Sequence, residues 1–471
     1  MKLQPPTTVL EIAADLERAG YEAWCVGGAI RDALLGHPHL DWDLATSATP
    51  AQVRQVFGHR RTIPVGVEFG TVGVLDRIGK MHEVTTFRRD VKTDGRHAEV
   101  EFGVSLEDDL ARRDFTINAI AYSPKLDEIR DPFGGRADLV NKLVRAVGDP
   151  DARMREDRLR ALRAIRFAAR FRFAIDPATL RAIEASAPFL GRLSHERVKQ
   201  ELDKIMEQVR CPSLALETWR ATGAFLSLIP VLDGCPVTSF EMPDHLAMPG
   251  LRGRPARRAI RFAGLMIALT PAQATTVLTD LRASRAEIQL VSALLDRWNA
   301  VGALMTLGIT GANPPTDAEV RTWVARIGRL YVSPLMRLAA GVWATARVRD
   351  VTAPEPAAVR ALHRRMLTIA FRDPIDLGSL AIDGDDLRRA GIPPGPGLGR
   401  ILQTLLAAVV ADPARNTPDW LLQEARRVNA ELPVETGPGG GGPRSDVSTN
   451  RRQTCSFAGD NPKRRSGVGS V

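Results

Sequence analysis

The sequence predicts an α+β protein in which a small mixed region precedes a long all-helical one. Short β-rich runs, most of them bounded by Gly, Asp or Pro, are confined to residues 1–148. From Asp149 to Val428, Ala, Leu and Arg recur at spacings of three and four residues, which is the period of amphipathic helices. The chain has 471 residues, too many for one ordinary core, so we expect several domains.

The mixed region begins with a predicted helix that starts at Thr8 and ends at Gly20, since glycine commonly ends a helix. Alternation and β-branched residues then predict strands in YEAWCVGG, LDWDLAT, TVGVLD, MHEVTTF and AEVEFG. In the helical region, GANPPTD (311–317) and GIPPGPGLG (391–399) break the periodicity and predict loops. The end of the chain, residues 435–471, has few apolar residues and is expected to be a disordered basic tail.

Composition indicates a soluble intracellular protein with a polyanionic partner. The formal net charge is +9, and cationic side chains near phosphates release condensed counterions. The four cysteines, Cys25, Cys211, Cys235 and Cys455, show neither zinc-site nor disulfide spacing, which is typical of a reducing cytoplasm. We expect no signal peptide, membrane span or protein partner.

A glycine turn and an acidic pair predict a site for phosphate and metal. Gly27 and Gly28 lie between a predicted strand and a predicted helix, where backbone N–H groups can approach a phosphate. Asp41 and Asp43 follow, and residues i and i+2 of a strand face the same side. Carboxylates held so close repel unless a hard cation lies between them. The alternative is a pair of solvent-facing aspartates on an edge strand, but the glycine turn favours the metal site.

A third carboxylate would complete a two-metal site. Glu83, on the β-rich run MHEVTTF, is the preferred candidate, and Glu68, Asp76 and Glu99 compete with it. The alternative for Glu83 is a surface residue at a strand end.

Two further motifs supply cations. Arg112 and Arg113 precede a segment that carries Asn118 and is predicted to be helical, and an Arg fork suits the phosphates of a nucleotide. In REDRLRALRAIRF, charged residues recur every three positions along a predicted helix: Asp157, Arg160, Arg163 and Arg166. The alternative is an exposed, salt-bridged helix face. As a base reader, Asp157 would accept from the amino group of C or A while Arg160 donates to the ring nitrogen, a pattern that G and U do not match.

Together these stretches resemble the class II CCA tRNA nucleotidyltransferases and the related bacterial poly(A) polymerases, of the polymerase-β-like nucleotidyltransferase superfamily. The residues that carry the resemblance are VGGAIRDALLG, DWDLAT, EVTTFRRD, RRDFTINA, DPFGGRADL (131–139) and EDRLRALRAIRF. A looser similarity continues through SHERVKQELDKIM (194–206) and returns at 381–406, so that most of residues 20–430 are covered.

The resemblance implies a polymerase-β-like head followed by an all-helical neck, body and tail. The expected boundaries are 1–148 for the catalytic head, 149–235 for a base-reading neck, 236–375 for a body and 376–434 for an RNA-binding tail. Asp41 and Asp43 would hold Mg²⁺, with Glu83 as a third catalytic carboxylate. The residues expected to bind the nucleotide are Gly27, Gly28, Arg31, Arg112, Asn118, Asp157, Arg160, Arg163 and Arg166.

The implied activity is addition of CMP, CMP and AMP to the 3′ acceptor end of tRNA from CTP and ATP. TIPVGVEFGTVGVL (62–75) resembles the CCA-adding type rather than the poly(A) polymerase type, and a loop in RRDVKTDGRHAEVEF (88–102) favours full CCA addition. Poly(A) polymerase, a CC-adding enzyme and a catalytically silent RNA-binding protein remain alternatives. His245 has no paired His-Asp metal ligands around it, so no phosphohydrolase site is expected, and the basic tail is hypothesised to add nonspecific RNA affinity.

Overall fold

A mixed β-sheet organises the N-terminal part of the chain, and the described residues that follow it are almost all helical. The computed structural model describes residues 3–37, 42–93, 98–248 and 255–431. The expected disordered basic tail lies outside these ranges, as do Asp41 and Cys455.

The strands lie almost entirely within the first 144 residues. Their bounds are β1 (Ala23–Val26), β2 (Asp43–Thr46), β3 (Thr62–Pro64), β4 (Thr71–Leu75), β5 (Met81–Thr86), β6 (Arg88–Thr93), β7 (Ala98–Phe102), β8 (Ala121–Ser123), β9 (Glu128–Arg130), β10 (Leu143–Val144) and β11 (Ala174–Ile175). The helices among them are α1 (Thr7–Arg18), α2 (Gly28–Leu34), α3 (Pro50–Phe57), α4 (Leu106–Ala111) and α5 (Gly135–Val140).

Helices dominate from residue 150 onward. They are α6 (Pro150–Glu156), α7 (Leu159–Phe171), α8 (Pro177–Ser186), α9 (His195–Gln208), α10 (Ser213–Ala221), α11 (Ala224–Leu228), α12 (Pro230–Asp233), α13 (Val237–Glu241), α14 (Pro255–Leu265), α15 (Pro271–Asp280), α16 (Arg285–Thr310), α17 (Asp317–Ile327), α18 (Val332–Val348), α19 (Pro356–Arg372), α20 (Gly384–Arg389), α21 (Pro396–Ala411) and α22 (Pro418–Glu431). Short 3₁₀ segments are His59–Arg61, Val67–Phe69, Thr116–Asn118, Ala187–Arg192, Met242–His245, Arg329–Tyr331, Leu377–Ser379 and Pro413–Arg415.

The main sheet has the strand order β3-β4-β5-β2-β1-β8-β9. Its neighbouring strands run antiparallel except β2 and β5, which are parallel. Strand β1, between β2 and β8, is buried on both faces, because Cys25 packs into one apolar cluster while Trp24 and Val26 pack into another. Such two-sided burial removes the alternation of apolar and polar residues that marks a half-exposed strand.

The apolar cluster that contains Cys25 continues into the helical region, where it includes Leu162 and Ile165 of α7 and Leu202 of α9. A separate cluster, from Ile382 to Val428, holds α20, α21 and α22 together. Since burial of apolar area is the main stabilising term, the last helices have a core of their own.

The structure confirms the predicted α+β class, the helix near the N-terminus and the strands at all five predicted runs. The helix predicted after Arg113 is wrong, because the segment forms a single 3₁₀ turn, Thr116–Asn118, and then enters β8. Strands do not end at residue 148 either, since β11 pairs in parallel with β10. Within the segment 88–102, in which a loop is predicted, β6 pairs with β7, and residues 94–97 between them lie outside the described residues.

Two other predictions need correction. Asp157 does not share a helix with the arginines, because its extended backbone ends α6 before α7 begins. The loop predicted for residues 391–399 is shorter, since α21 starts at Pro396, a residue that is favoured in the first turn of a helix. The loop between α16 and α17 is confirmed. None of the described helices is long and apolar enough to cross a membrane.

Candidate active site

Three adjacent strands bring the glycine turn and two carboxylates to one end of the sheet. Val26, the last residue of β1, pairs with Asp43, so the turn at Gly27 adjoins the start of β2. The parallel register of β2 and β5 joins Leu44 to Val84. One residue earlier in each strand, Asp43 and Glu83 are therefore neighbours, and both side chains are exposed while Leu44 and Val84 are buried.

A cavity of about 1150 Å³ opens beside these carboxylates and extends to α7 and α9. Nine cationic side chains of the described residues line it, namely Arg31, Arg112, Arg113, Arg160, Arg163, Arg166, Arg170, Arg197 and Lys204. Four carboxylates also line it, those of Asp43, Glu83, Asp114 and Asp157. A concave surface with this excess of positive charge concentrates polyanionic ligands.

The glycine turn leaves the backbone open to the cavity. Gly27 has φ 74°, a conformation that side-chain-bearing residues rarely adopt, and a Cβ there would lie 3.0 Å from Nη1 of Arg113. Gly28 is the first residue of α2, and a Cβ there would approach the Arg31 guanidinium to 3.4 Å. Any larger residue at either position would crowd the two arginines.

Arg112 and Arg113 are held by one buried acid at the end of α4. Asp109 accepts from Nε and Nη2 of Arg112 at 3.0 and 2.9 Å, and from Nη2 of Arg113 at 3.1 Å. Burial alone would raise the pKa of Asp109, but the charges of Arg113 and Arg112 outweigh it and lower the pKa. The two guanidinium groups are thus oriented before any ligand binds.

Asp114 joins the 3₁₀ turn to α7. Its Oδ2 accepts from Nε and Nη2 of Arg163 at 2.8 and 2.6 Å, and its Oδ1 accepts from Nδ2 of Asn118 at 2.9 Å. Asn118 in turn accepts from Nη1 of Arg31 at 2.6 Å. The charge of Asp114 raises the pKa of Arg163, and burial lowers the pKa of Arg31.

The residues expected to read the base reach the cavity with their side chains already engaged. Asp157 accepts from Arg197 at 2.7 Å, and Arg160 donates to Glu156 at 2.6 Å and to the carbonyl oxygen of Arg112 at 3.0 Å. Asp157 and Arg160 therefore line the same cavity without pairing with each other, and each retains capacity for further hydrogen bonds.

Arg166 forms the most deeply buried ion pair beside the cavity. It donates from Nε to Oε2 of Glu201 at 2.6 Å, and the two side chains are 4% and 0% exposed. The exposed salt-bridged face considered for this helix is therefore wrong for Arg166. It is also wrong for Arg160, whose side chain is 11% exposed.

The structure gathers the sequence-predicted site residues around this one cavity. Those that line it are Gly27, Gly28, Arg31, Asp43, Glu83, Arg112, Asn118, Asp157, Arg160, Arg163 and Arg166. Asp41 lies outside the described residues, so its pairing with Asp43 stays a prediction.

Two of the competing carboxylates, Asp76 and Glu68, do not line the cavity beside Glu83. Asp76 is buried, where it accepts from His82 at 3.0 Å and from the backbone N–H groups of Ile78 and Lys80. Glu68 is exposed on a 3₁₀ turn and does not line the cavity. The side chain of Glu99 lies outside the described part of the chain.

Sequence reasoning missed the acids that orient the arginines, Asp109 and Asp114, and further cations, Arg170, Arg197 and Lys204. Arg170 continues the spacing of Arg160, Arg163 and Arg166 along α7, so helical periodicity carried a signal for it. No local pattern signals Asp114, whose partner Arg163 lies 49 residues further along the chain.

His245 is exposed, and its neighbour Asp244 accepts from the backbone N–H and hydroxyl of Ser213 at 2.9 and 2.6 Å. Asp244 is thus occupied at the start of α10. Among the described residues no cluster of three or more His, Cys, Asp or Glu side chains forms a metal site, at His245 or elsewhere.

Sequence comparison relates the chain to known families. Residues 23–145 match the family described as "Poly A polymerase head domain", and residues 172–235 match "Probable RNA and SrmB- binding site of polymerase A". The CCA-adding enzyme of Latilactobacillus sakei is 33% identical over 442 residues, which cover 88% of this chain and 97% of that protein. The CCA-adding enzyme of Geobacillus stearothermophilus is 33% identical over 439 residues, 90% of this chain and 98% of that protein.

Solved structures agree with these relatives. The crystal structure of the Bacillus stearothermophilus CCA-adding enzyme in complex with CTP superposes with a TM-score of 0.71 at 30% identity, covering 91% of this chain and all of that one. The Thermotoga maritima CCA-adding enzyme complexed with tRNA shares the fold, with a TM-score of 0.62 at 20% identity over 91% of this chain and 97% of that one. The chain is 33% identical to two curated relatives and covers nearly their full length. It therefore belongs to the family of CCA-adding enzymes, which are tRNA nucleotidyltransferases.

Proposed function

We propose that this protein adds CMP, CMP and AMP to the 3′ end of tRNA, taking the nucleotides from CTP and ATP in the cavity between the sheet and α7. The observation that carries the proposal is the meeting of two carboxylates, a glycine turn and nine cationic side chains around one cavity. In the reaction the RNA 3′-hydroxyl attacks the α-phosphorus, a new phosphodiester bond forms, and pyrophosphate leaves.

The donor set at the end of β2 and β5 fits Mg²⁺. Asp43 and Glu83 are neighbouring carboxylates, and Mg²⁺ is commonly held by one or two carboxylates together with substrate phosphates. We propose that Asp43 and Glu83 hold the ion, with Asp41 as an additional ligand. When bound, the ion supplies Lewis-acid chemistry that favours deprotonation of the 3′-hydroxyl and offsets charge on the leaving pyrophosphate.

The cationic side chains bind and orient the triphosphate. We propose that the backbone at Gly27 and Gly28, together with Arg31, Arg112 and Asn118, contacts the phosphates. Asp109 and Asp114 hold the arginines in place through fixed ion pairs, so little side-chain entropy is lost when the nucleotide arrives.

Asp157 and Arg160 are proposed to select C and A over G and U. Their side chains line one cavity and are fixed by Arg197 and Glu156, so that an acceptor and a donor are presented at set positions. Arg163 and Arg166, further along α7, are proposed to complete the contacts to the base and phosphates. A polar site of this kind rejects a mismatched base because its own buried groups would be left unpaired.

Two features support RNA binding beyond the cavity. Residues 172–235 match a family described by its RNA-binding site, and the helices from Ile382 to Val428 form a core separate from the rest. We propose the division into head, neck, body and tail at the boundaries given by the resemblance. We also propose that the protein acts in the cytoplasm, on the basis of its family and of the tRNA substrate.

The nucleotide requirement tests this proposal. Purified protein receives Mg²⁺ and tRNA that lacks its terminal C, C and A, with CTP alone, ATP alone or both, and products are sized on a denaturing gel. We expect two cytidines from CTP alone, no extension from ATP alone, and the complete CCA end from both. A long ladder from ATP alone would instead identify a poly(A) polymerase, and an end limited to the two cytidines would identify a CC-adding enzyme. A folded protein that binds tRNA without extending it would be a silent RNA-binding protein.

A further inference from the structure

A closed ring of polar contacts passes through Arg31 and begins and ends on α7. Nη2 of Arg170 lies 3.2 Å from Oδ2 of Asp32. Oδ1 of Asp32 accepts from Nε of Arg31 at 2.8 Å. These contacts join the C-terminal turn of α7 to α2, the helix that follows the glycine turn.

The second half of the ring returns to α7 through the 3₁₀ turn. Arg31 donates to Asn118, Asn118 donates to Asp114, and Asp114 accepts from Arg163. Arg163 and Arg170 are seven residues apart, about two helical turns, so they project from the same face of α7. We call these six residues the polar ring: Arg31, Asp32, Asp114, Asn118, Arg163 and Arg170.

Arg31 is a buried member of the polar ring, and aromatic side chains lie against it. Arg31 is 4% exposed, and its guanidinium carbon lies 5.0 and 4.8 Å from the ring centroids of Phe167 and Phe171. Of its five N–H groups, Nε and one on each terminal nitrogen face Asp32 and Asn118. The other two N–H groups remain for a ligand. The direction in which they point depends on Asp32 and Asn118, which hold the first three.

Arg170, like Arg163, is a partly exposed member of the polar ring. Its side chain is 27% exposed, and besides Asp32 it makes a longer contact of 3.4 Å to Oε1 of Gln208. Asp32, by contrast, is 7% exposed and forms ion pairs with both Arg31 and Arg170. Removing Arg170 therefore opens the polar ring without leaving an enclosed cation unpaired.

We propose that Arg170 is a positioning residue for nucleotide binding, acting through Asp32 to aim Arg31 at the triphosphate and to fasten α2 to α7. The inference rests on the proposed function, in which Arg31 contacts phosphate. Since CTP and ATP share the triphosphate, loss of Arg170 weakens the binding of both nucleotides by the same factor. A residue that reads the base would change their ratio instead.

Equilibrium binding of CTP and of ATP, measured separately in Mg²⁺ without tRNA, tests the inference. Arg170→Met keeps an unbranched apolar side chain and removes the guanidinium, whose carbon lies 4.8 Å from the ring centroid of Phe171. We expect both Kd values to rise roughly 3- to 30-fold and by the same factor. Arg170→Lys should bind nearly as the wild type does, because a single contact of 3.2 Å to Asp32 does not need a planar fork.

Arg172→Met is the matched control. Arg172 is exposed, and its Nη2 lies 3.5 Å from Sγ of Cys211, away from the polar ring, so binding should not change. Unchanged Kd values in Arg170→Met would overturn the inference, as would a change confined to one nucleotide or no recovery in Arg170→Lys. Should Arg170→Met melt well below the wild type, Arg170→Gln repeats the comparison. A wild-type protein that binds neither nucleotide would contradict the proposed function itself.

Discussion

Asp114 and Arg163 are joined by two hydrogen bonds of 2.8 and 2.6 Å that connect the turn after α4 to the middle of α7. The carboxylate is 10% exposed and also accepts from Asn118 and from the backbone N–H of Phe115. Through this contact the strand ends that carry Asp43 and Glu83 are held at a set position relative to the arginines of α7.

Acid pH should weaken this contact. Burial alone would raise the pKa of Asp114, but the charge of Arg163 and the hydrogen bond from Asn118 outweigh it and lower the pKa below its ordinary value. A carboxylate whose pKa is lowered by folding stabilises the folded state at pH values above its unfolded pKa of about 3.9. That stabilisation is lost as the pH falls through the pKa of the folded state. We expect Asp114→Asn to show a shallower loss of unfolding free energy between about pH 5 and pH 3 than the wild type.

Urea denaturation at several pH values measures this difference. At pH 7 the variant should lose about 2 kcal/mol, the contribution typical of hydrogen bonds to charged groups. Asp280→Asn, at an exposed carboxylate of α15, is the control and should follow the wild-type profile. Parallel profiles for Asp114→Asn and the wild type would contradict the role given to this ion pair.

Glu201 should be needed for stability as well as for the site. Its carboxylate is fully buried against Arg166, and the charge of Arg166 lowers its pKa although burial alone would raise it. Removing one partner of a buried pair leaves an uncompensated charge, so Glu201→Gln should lower the free energy of unfolding by about 3 kcal/mol. Glu196→Gln, an exposed position of the same helix, should change it by less than about 0.5 kcal/mol.

The double variant Arg166→Met, Glu201→Leu separates charge from packing. Because both charges are removed, it should recover much of the stability lost in Glu201→Gln. Denaturant midpoints measure this. A single variant as stable as the wild type would show that the pair is not the buried contact that the structure describes.

The choice of Glu83 over the other carboxylates is open to a direct comparison. Glu83→Gln should lower kcat roughly a hundredfold or more, because one of the carboxylates proposed to hold Mg²⁺ at the reacting centre is lost. Glu68→Gln is matched in chemistry but lies on an exposed turn away from the cavity, and it should keep wild-type kcat. Equal rates for the two variants in a steady-state extension assay would remove Glu83 from the catalytic set.

The residues that the sequence identified share a local signal, whereas the acids Asp109 and Asp114, which it missed, do not. Asp43 stands two residues after another aspartate, Gly27 lies at a strand end, and Arg163 recurs at helical spacing, so each is marked by its nearby sequence. Asp109 and Asp114 act by orienting arginines, and a pairing such as that of Asp114 with Arg163 is set by tertiary packing rather than by any short pattern.

The errors have a similar origin. The segment after Arg113 is apolar because Phe115 and Ile117 are fully buried and Ala121 pairs in β8, and a short apolar run does not distinguish a helix from a buried strand. Asp157 follows the spacing of a helix, but its side chain accepts from the N–H of Leu159 and so stands at the junction before α7. The spacing of charged residues does not locate a helix boundary to within one or two residues.

Product length formed by the wild type and by Asp43→Asn tests the central claim most directly. Both proteins would receive tRNA without its CCA end, CTP, ATP and Mg²⁺. The account predicts that the wild type restores C, C and A while the folded variant adds no nucleotide, because Asp43 is assigned to the reacting end of the cavity. A variant that completes the CCA end at the wild-type rate would show that catalysis takes place elsewhere in the protein.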